Sequence, residues 1–284
     1  MYLFFDTETT GLPTERNADY KKHDVWPRVV SVSWALYKSP EEPLKHDYSI
    51  IQPDGFLIPA EATRIHGITN EYALQHGRPL RQVLEELNND IKAKQPQIIV
   101  AHNIAFDLPV LLCEMDRIGM EPILKNLPIC CTMLASTDYC AILHKDGVGF
   151  KWPRLSELHE KLFGASFSGQ HDASSDVLAC ARCYFELAKL SLTTASPFPF
   201  GAEGDFAYPT KVTTWDGADE TRILLAAVSE FAEGHPEFNA DFVQSLGKQF
   251  AQRGFLSVKQ FNALRNIVKG WQIFVPTSQE VSAS

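Results

Sequence analysis

The chain opens on a short apolar run, residues 2–5 (Tyr-Leu-Phe-Phe), that breaks off at two acids set two apart, Asp6 and Glu8. Two further apolar runs follow, at residues 29–37 and 48–52, and all three read as strands. A polar loop separates the first two. Between residues 80 and 91 the spacing changes: Leu80, Val83, Leu84, Leu87 and Ile91 recur at helical intervals. "QIIVAHN" then reads as a short buried strand and "FDLPVLLCEMDRIG" as the start of a helix. "RLSELHEKLFG" is a helix closed by Gly164, a residue type favoured just past a helix end. Residues 173 to about 190 form a further helix, with Val177, Cys180, Ala181, Tyr184, Leu187 and Ala188 along one stripe. Neighbouring strands followed by alternating helix and strand predict an α/β domain over residues 1–190, built on a mixed sheet.

The pattern changes near Ser191. Prolines, glycines and threonines without periodicity predict a linker over residues 191–218. Beyond it, helical spacing returns at residues 219–232, 240–252 and 257–269. Ser257 and Gln260 have the form of a capping box, and Gly254 would close the helix before it. A small C-terminal α-helical module over residues 219–275 is expected, with a disordered tail at 276–284.

Composition narrows the class. With 284 residues, 45% hydrophobic and 21% charged, the chain has the makeup of a soluble globular protein with a sizeable core. The first residues have neither a basic start nor a long apolar segment, and no apolar run is long enough for a bilayer. The expectation is a cytoplasmic protein with no membrane partner. The six cysteines (113, 130, 131, 140, 180, 183) read as free thiols on apolar faces, although "CARC" at 180–183 leaves a zinc cluster open. A net charge of −9 disfavours gripping long duplexes through many phosphates, but not holding a strand end where carboxylates bind cations.

Residues two apart in a strand share a face, about 7 Å apart along the chain, so Asp6 and Glu8 converge. In isolation such a pair reads first as a solvated strand end; following a strand expected to be buried on both sides it calls for a cation, and hard oxygen ligands suit Mg²⁺ or Mn²⁺. Asp107 opens a helix, where an acid is also favourable with the helix dipole. His171 and Asp176 stand five apart at the start of the 173–190 helix, and in isolation each is an ordinary surface residue.

Together these segments resemble the DnaQ-like (DEDDh) 3′–5′ exonucleases. "DTETTG" is similar to the first motif of that family, "AHNIAFD" to the second and "HDASSD" to the third, H-x-A-x-x-D; "IHGIT" at residues 65–69 is also similar to a segment common in the group. Asp172 departs from the basic or amide residue that many relatives carry there. The resemblance implies a ribonuclease H-like fold with a mixed five-stranded sheet flanked by helices. It implies hydrolysis of phosphodiester bonds from a 3′ end, releasing nucleoside 5′-monophosphates, with two Mg²⁺ or Mn²⁺ ions about 3.5–4 Å apart. By the family pattern Asp6, Glu8 and Asp176 would hold one ion, and Asp6 with Asp107 the other. His171, on a mobile loop, would take the attacking water's proton when substrate arrives.

Substrate contacts are expected from Thr9, Thr10 and Gly11. Leu12, His66 and Phe106 are further candidates, and for these packing or a plain turn explains the residue equally well. The partner implied is a single-stranded 3′ end of DNA or RNA, DNA being weakly favoured, and some relatives form homodimers. Within residues 241–271 five basic residues (Lys248, Arg253, Lys259, Arg265, Lys269) face one acid, Asp241. That module could guide nucleic acid, dock a protein partner, or be a plain bundle with a basic surface. The competing functions are a catalytically silent binding module in a replication, repair or RNA-processing assembly, and another metal-dependent hydrolase such as a phosphatase. The complete set of five residues counts against the first, and the ordered motifs against the second.

Overall fold

The structure is a computed structural model that describes residues 1–15, 18–144, 150–193, 195, 217–253, 258–271 and 273. In chain order it contains β1 (Tyr2–Thr9), β2 (Val29–Ser39), β3 (Glu42–Ile50), α1 (Ala60–His66), α2 (Asn70–His76), α3 (Leu80–Lys94), β4 (Ile98–Ala101) and α4 (Ile104–Arg117). β5 (Ile129–Cys131), α5 (Thr132–Ala135), α6 (Thr137–Cys140), α7 (Leu155–Phe163) and α8 (Ala173–Lys189) follow. The last three helices are α9 (Gly217–Gly234), α10 (Asp241–Arg253) and α11 (Val258–Gly270). The chain divides into two compact units, residues 1–142 with 152–210 and residues 143–151 with 211–284.

In the first unit the strands lie in the order β3-β2-β1-β4-β5. β1–β2 and β2–β3 are antiparallel, while β1–β4 and β4–β5 are parallel. This is the mixed five-stranded sheet flanked by helices. Side chains alternate along β1. Leu3 and Phe5 join Val32, Trp34, Leu36 and the apolar faces of α3 and α4 in one core. Phe4 points the other way, into a cluster with Ala35, Val100, Val177, Cys180, Ala181 and Tyr184 that seats α8. Asp6 and Glu8 continue the row of Phe4, and Thr7 that of Phe5.

Several boundaries differ from the sequence expectation. β1 runs on to Thr9, paired with β2 through a bulge between Glu8 and Thr9, so the acids lie within the strand rather than past its end. β3 begins at Glu42, six residues before the predicted start. It is an edge strand whose exposed Glu42, Pro43 and Leu44 have no apolar alternation to announce them. α1 and α2 have seven residues each, and β5 has three, too few for a period to show. Gly164 closes α7 at φ 72°, as the sequence leads one to expect. None of the six cysteines is in a disulfide, and Cys180 and Cys183 face different apolar clusters.

In the second unit α9, α10 and α11 pack around Leu224, Val228, Phe238, Val243, Leu246 and Leu264. Phe231 and Phe238 meet Trp271 edge to face. The capping box at Ser257, the stop at Gly254, most of the 191–218 linker and the 276–284 tail lie outside the described residues. Among the described residues no helix is long and apolar enough to cross a membrane.

Candidate active site

Four carboxylates meet at the carboxyl ends of β1 and β4, the end of an α/β sheet where ligands usually bind. β1 brings Asp6 and Glu8 on the α8 side. α8 brings Asp176 from its first turn. Asp107 comes from the first turn of α4, which starts three residues after β4 ends, and it reaches the group from the opposite side of the sheet. Thr7, between the two strand acids, holds it there: its backbone N–H and its hydroxyl both donate to Asp107 Oδ1, at 3.1 and 2.7 Å.

The electrostatics follow from this crowding. Burial, then the charges of Asp107, Asp176, Glu8 and Asp172, push the Asp6 carboxyl well above the ordinary range. Glu8 rises to about 8, by burial first and then by Asp176, Asp107 and Asp172. Asp107 rises to about 7 by burial, although the two Thr7 hydrogen bonds work against it. Asp176 also rises to about 7 by burial, opposed by the His171 backbone and assisted by Asp172. Acids so placed hold protons near neutrality unless positive charge replaces them. One oxygen each from Glu8 and Asp176 and one ring nitrogen of His171 lie within 4.8 Å of one another. An oxygen-rich donor set with one imidazole suits a hard divalent cation.

The His171 loop is built tightly. His171 sits at φ 64°, and its N–H donates to Asp176 Oδ2 at 3.0 Å. Asp172 caps α8, accepting from the Ser175 N–H at 3.2 Å and from its hydroxyl at 2.9 Å. Gly169, at φ 80°, leaves room for this: a Cβ there would stand 2.5 Å from Ser175 Oγ. The exposed imidazole stands beside Glu8 and Asp176.

The other candidates fall into two groups. Thr9 and Thr10 are fixed: the Thr9 hydroxyl donates to the Gly11 carbonyl at 2.7 Å, and Thr10 exchanges bonds with Arg28 through its N–H (2.9 Å) and hydroxyl (3.0 Å). Gly11 leaves open space, with nothing within 4 Å of an added Cβ. His66 comes to the same segment. Its Nδ1 accepts from the Ile68 N–H at 3.1 Å, its Nε2 is buried without a well-formed hydrogen bond, and burial lowers its pKa against the pull of the Thr9 backbone. Leu12 and Phe106 are not gathered in this way. Leu12 is 80% exposed on the loop, and Phe106 packs half-buried against the core beneath α4.

Sequence reasoning passed over two supports. Thr7 was hidden between the acids it serves. Glu114 is fully buried on α4, where its Oε1 accepts from Arg28 Nε at 2.8 Å and the Val29 N–H at 3.0 Å and pairs with Arg117 at 3.1 Å. It thereby ties the Arg28 partner of Thr10 to the helix that carries Asp107. The visible signal was an acid inside the apolar run "LLCEM".

The chain is similar to known proteins in sequence and in fold. The chain is 28% identical over 191 residues to a PolC-type DNA polymerase III of Streptococcus suis, matching 67% of this chain and 11% of that protein. With the PolC-type polymerase of Streptococcus sanguinis it is 26% identical over 188 residues, 66% of this chain and 11% of the relative. The fold is similar to that of Escherichia coli exonuclease I in complex with a dT13 oligonucleotide, at 22% identity and TM-score 0.53, over 66% of this chain and 40% of that one. It is likewise similar to apo exonuclease I, at 19% identity and TM-score 0.53, over 67% of this chain and 43% of that one. The chain therefore spans about a tenth of the polymerases and about two fifths of the exonuclease I chains. Residues 3–184, which carry all four carboxylates and the histidine, match the RNase T family of exonucleases, and the chain belongs to that family.

Proposed function

We propose that the protein is a metal-dependent 3′–5′ exonuclease that shortens single-stranded DNA ends, releasing nucleoside 5′-monophosphates. The observation that carries this is the convergence of Asp6, Glu8, Asp107 and Asp176 beside His171, where burial and neighbouring acids raise Glu8 to about 8 and Asp107 and Asp176 to about 7. Asp6, Glu8, Asp107 and Asp176 would hold two Mg²⁺ or Mn²⁺ ions. Such ions supply charge neutralisation and Lewis acidity to phosphodiester hydrolysis when bound.

The chain's own groups do the rest. His171 accepts the proton of the attacking water, the water oxygen bonds to phosphorus, and the bond from phosphorus to the 3′ oxygen breaks. Thr7 keeps Asp107 aimed into the site by its two hydrogen bonds. The Thr9–Gly11 turn, braced by Arg28 and flanked by His66, seats the terminal nucleotide, with Leu12 and Phe106 as apolar contacts at its edge. DNA is preferred over RNA in this proposal because the similar proteins are DNA polymerases and an exonuclease solved with dT13. Residues 1–190 are assigned to the nuclease domain, 191–218 to a linker and 219–275 to a helical module, in a protein of the cytoplasm.

The deciding experiment is digestion of single-stranded DNA, duplex DNA and RNA, each labelled at the 3′ or the 5′ end, with Mg²⁺, Mn²⁺ or chelator. Early release of labelled mononucleotide from 3′-labelled single-stranded DNA, lost in chelator, is expected. Intact substrates under every condition would refute the proposal.

A further inference from the structure

Three rings have no part in the chemistry above: Tyr48 on β3, in the row of Asp6, and Tyr72 and His76 on α2. Ser33 pairs with Asp6 across β1–β2 and with Tyr48 across β2–β3, so Asp6, Ser33 and Tyr48 form one row on one face of the sheet. Ser31 pairs with Glu8 in the next row of that face. Both serines are fully buried, and His46 from the row of Ala35 lies over Ser33, its Nε2 3.1 Å from Ser33 Oγ and 3.3 Å from Ser174 Oγ of α8. Ser31 Oγ has no well-formed hydrogen bond, and the group that approaches it is the Tyr48 hydroxyl. The charges of Glu8 and Asp172 and the ring of Tyr72 all lie within electrostatic range of Tyr48.

The end of β3 fixes where α2 lies. The Gln52 N–H donates to the Arg78 carbonyl at 2.9 Å and the Arg78 N–H to the Ile50 carbonyl at 2.8 Å. Gly77, between helix and bond, permits the close approach, since a Cβ there would stand 2.6 Å from Gln52 N. Tyr72 and His76, one turn apart on α2, stack at 4.3 Å with planes 16° apart. Tyr48 is 36% exposed and Tyr72 is 49% exposed, so both residues reach solvent.

A strand leaving the site along this side passes Glu8 and Asp172 on a protein of net charge −9, which repels its phosphates. Its bases carry no charge, and every base has a face that stacks on an aromatic ring. We propose that Tyr48 and the Tyr72–His76 stack form a wall that holds single-stranded nucleic acid near its 3′ end by its bases, without sequence preference. The position of that end rests on the exonuclease function proposed above.

The test pairs each ring with the base it would hold. Full-length wild type, Tyr72→Ala and Tyr48→Leu are titrated with 5′-fluorescein single-stranded DNA in Ca²⁺, with one abasic nucleotide moved stepwise inward from the 3′ end. At one position or more, base removal should weaken wild-type binding about five- to a hundredfold and leave a ring-deleted variant unaffected. Tyr72→Phe, which keeps the ring, should restore the wild-type pattern and guards against a folding defect in Tyr72→Ala. Equal abasic penalties in wild type and both variants at every position, or no penalty anywhere, would overturn the wall. Hydrolysis of the unmodified strand in Mg²⁺ is measured separately. A wall without hydrolysis would sink the exonuclease reading alone, and hydrolysis without the abasic pattern would sink the wall alone.

Discussion

Residues 2–5 and 6–9 of β1 pair with the same neighbour, β2, yet meet opposite surroundings. In the first half Leu3, Phe4 and Phe5 are buried between two apolar cores, and Phe4 contacts Tyr37, Tyr184 and Phe185 at ring separations of 5.5 Å. In the second half the same alternation delivers Asp6 and Glu8 to one face and Thr7 to the other. The first half stabilises the fold by removing apolar area from water. The second sets like charges together in a partly dry place, which costs stability. The lesson is that the strand's rigid half positions its costly half. Removing a side chain from either half should therefore have opposite effects on folding and on chemistry.

The largest expected effect is at Asp6. Asp6→Ala removes a carboxylate shared by both proposed ion sites, and a loss of about 4 kcal/mol of transition-state stabilisation is about a thousandfold in rate. In the metal-free protein the same change should raise the melting temperature, because it deletes a repelling charge. Rate assays in Mg²⁺ beside thermal melts in chelator check both; a lower metal-free melting temperature would break the contrast between the halves. Phe4→Ala is the counterpart. Emptying a fully buried ring site should cost about 3–5 kcal/mol in chemical denaturation, while any molecules still folded keep measurable activity.

How much of this was legible in the sequence depends on where the signal is local. Asp6 and Glu8 announce themselves because charge interrupts Leu-Phe-Phe, and the motif resemblance links them to Asp107, His171 and Asp176. The bond from Thr7 to Asp107 spans a hundred residues and exists only because β1 and β4 run parallel, which no local pattern states. The wall at Tyr48 was missed for a related reason. β3 was expected to start at that residue, and its register against Ser33 and Asp6 is a property of the assembled sheet. Glu114 looks like one more helix acid until the loop bearing Arg28 folds over it.

The pH dependence of stability sharpens the same comparison. Glu8, Asp107 and Asp176 have folded-state values of about 8, 7 and 7, against ordinary carboxyl values near 4. Carboxyls raised in this way release protons more readily when unfolded, so the unfolded state binds fewer protons and stability falls as pH rises. The metal-free protein should lose several degrees of melting temperature between about pH 5 and about pH 8. Saturating Mg²⁺ should flatten the curve, and Glu8→Gln should remove its upper part. A metal-free melting temperature that rises across that interval would contradict the assigned crowding. At Thr7, a nearly isosteric Thr7→Val keeps the backbone bond to Asp107 and loses the hydroxyl one. Supports of this kind are worth about ten- to a hundredfold in activity or metal affinity, and a loss near tenfold is expected. Unchanged kinetics would mean that the backbone bond suffices.

The smallest effect tests Asp172, the acid that follows His171. Its carboxylate does two separable things: it caps α8 through Ser175, and its charge adds to the load on Asp6, Glu8 and Asp176. Asn keeps an acceptor for the cap and drops the charge. Asp172→Asn should therefore leave the His171 loop in place, raise the metal-free melting temperature slightly and weaken Mg²⁺ binding by about a few-fold, since one attracting charge near the ions is gone. Asp172→Ala removes cap and charge together and should cost about 1 kcal/mol of stability that Asn does not. If Asn and Ala lower stability equally, the cap is not what holds this loop. If Asn leaves Mg²⁺ affinity untouched, the fifth acid lies too far from the ions to matter, and the cost carried by the polar half of β1 is set by the four converging carboxylates alone.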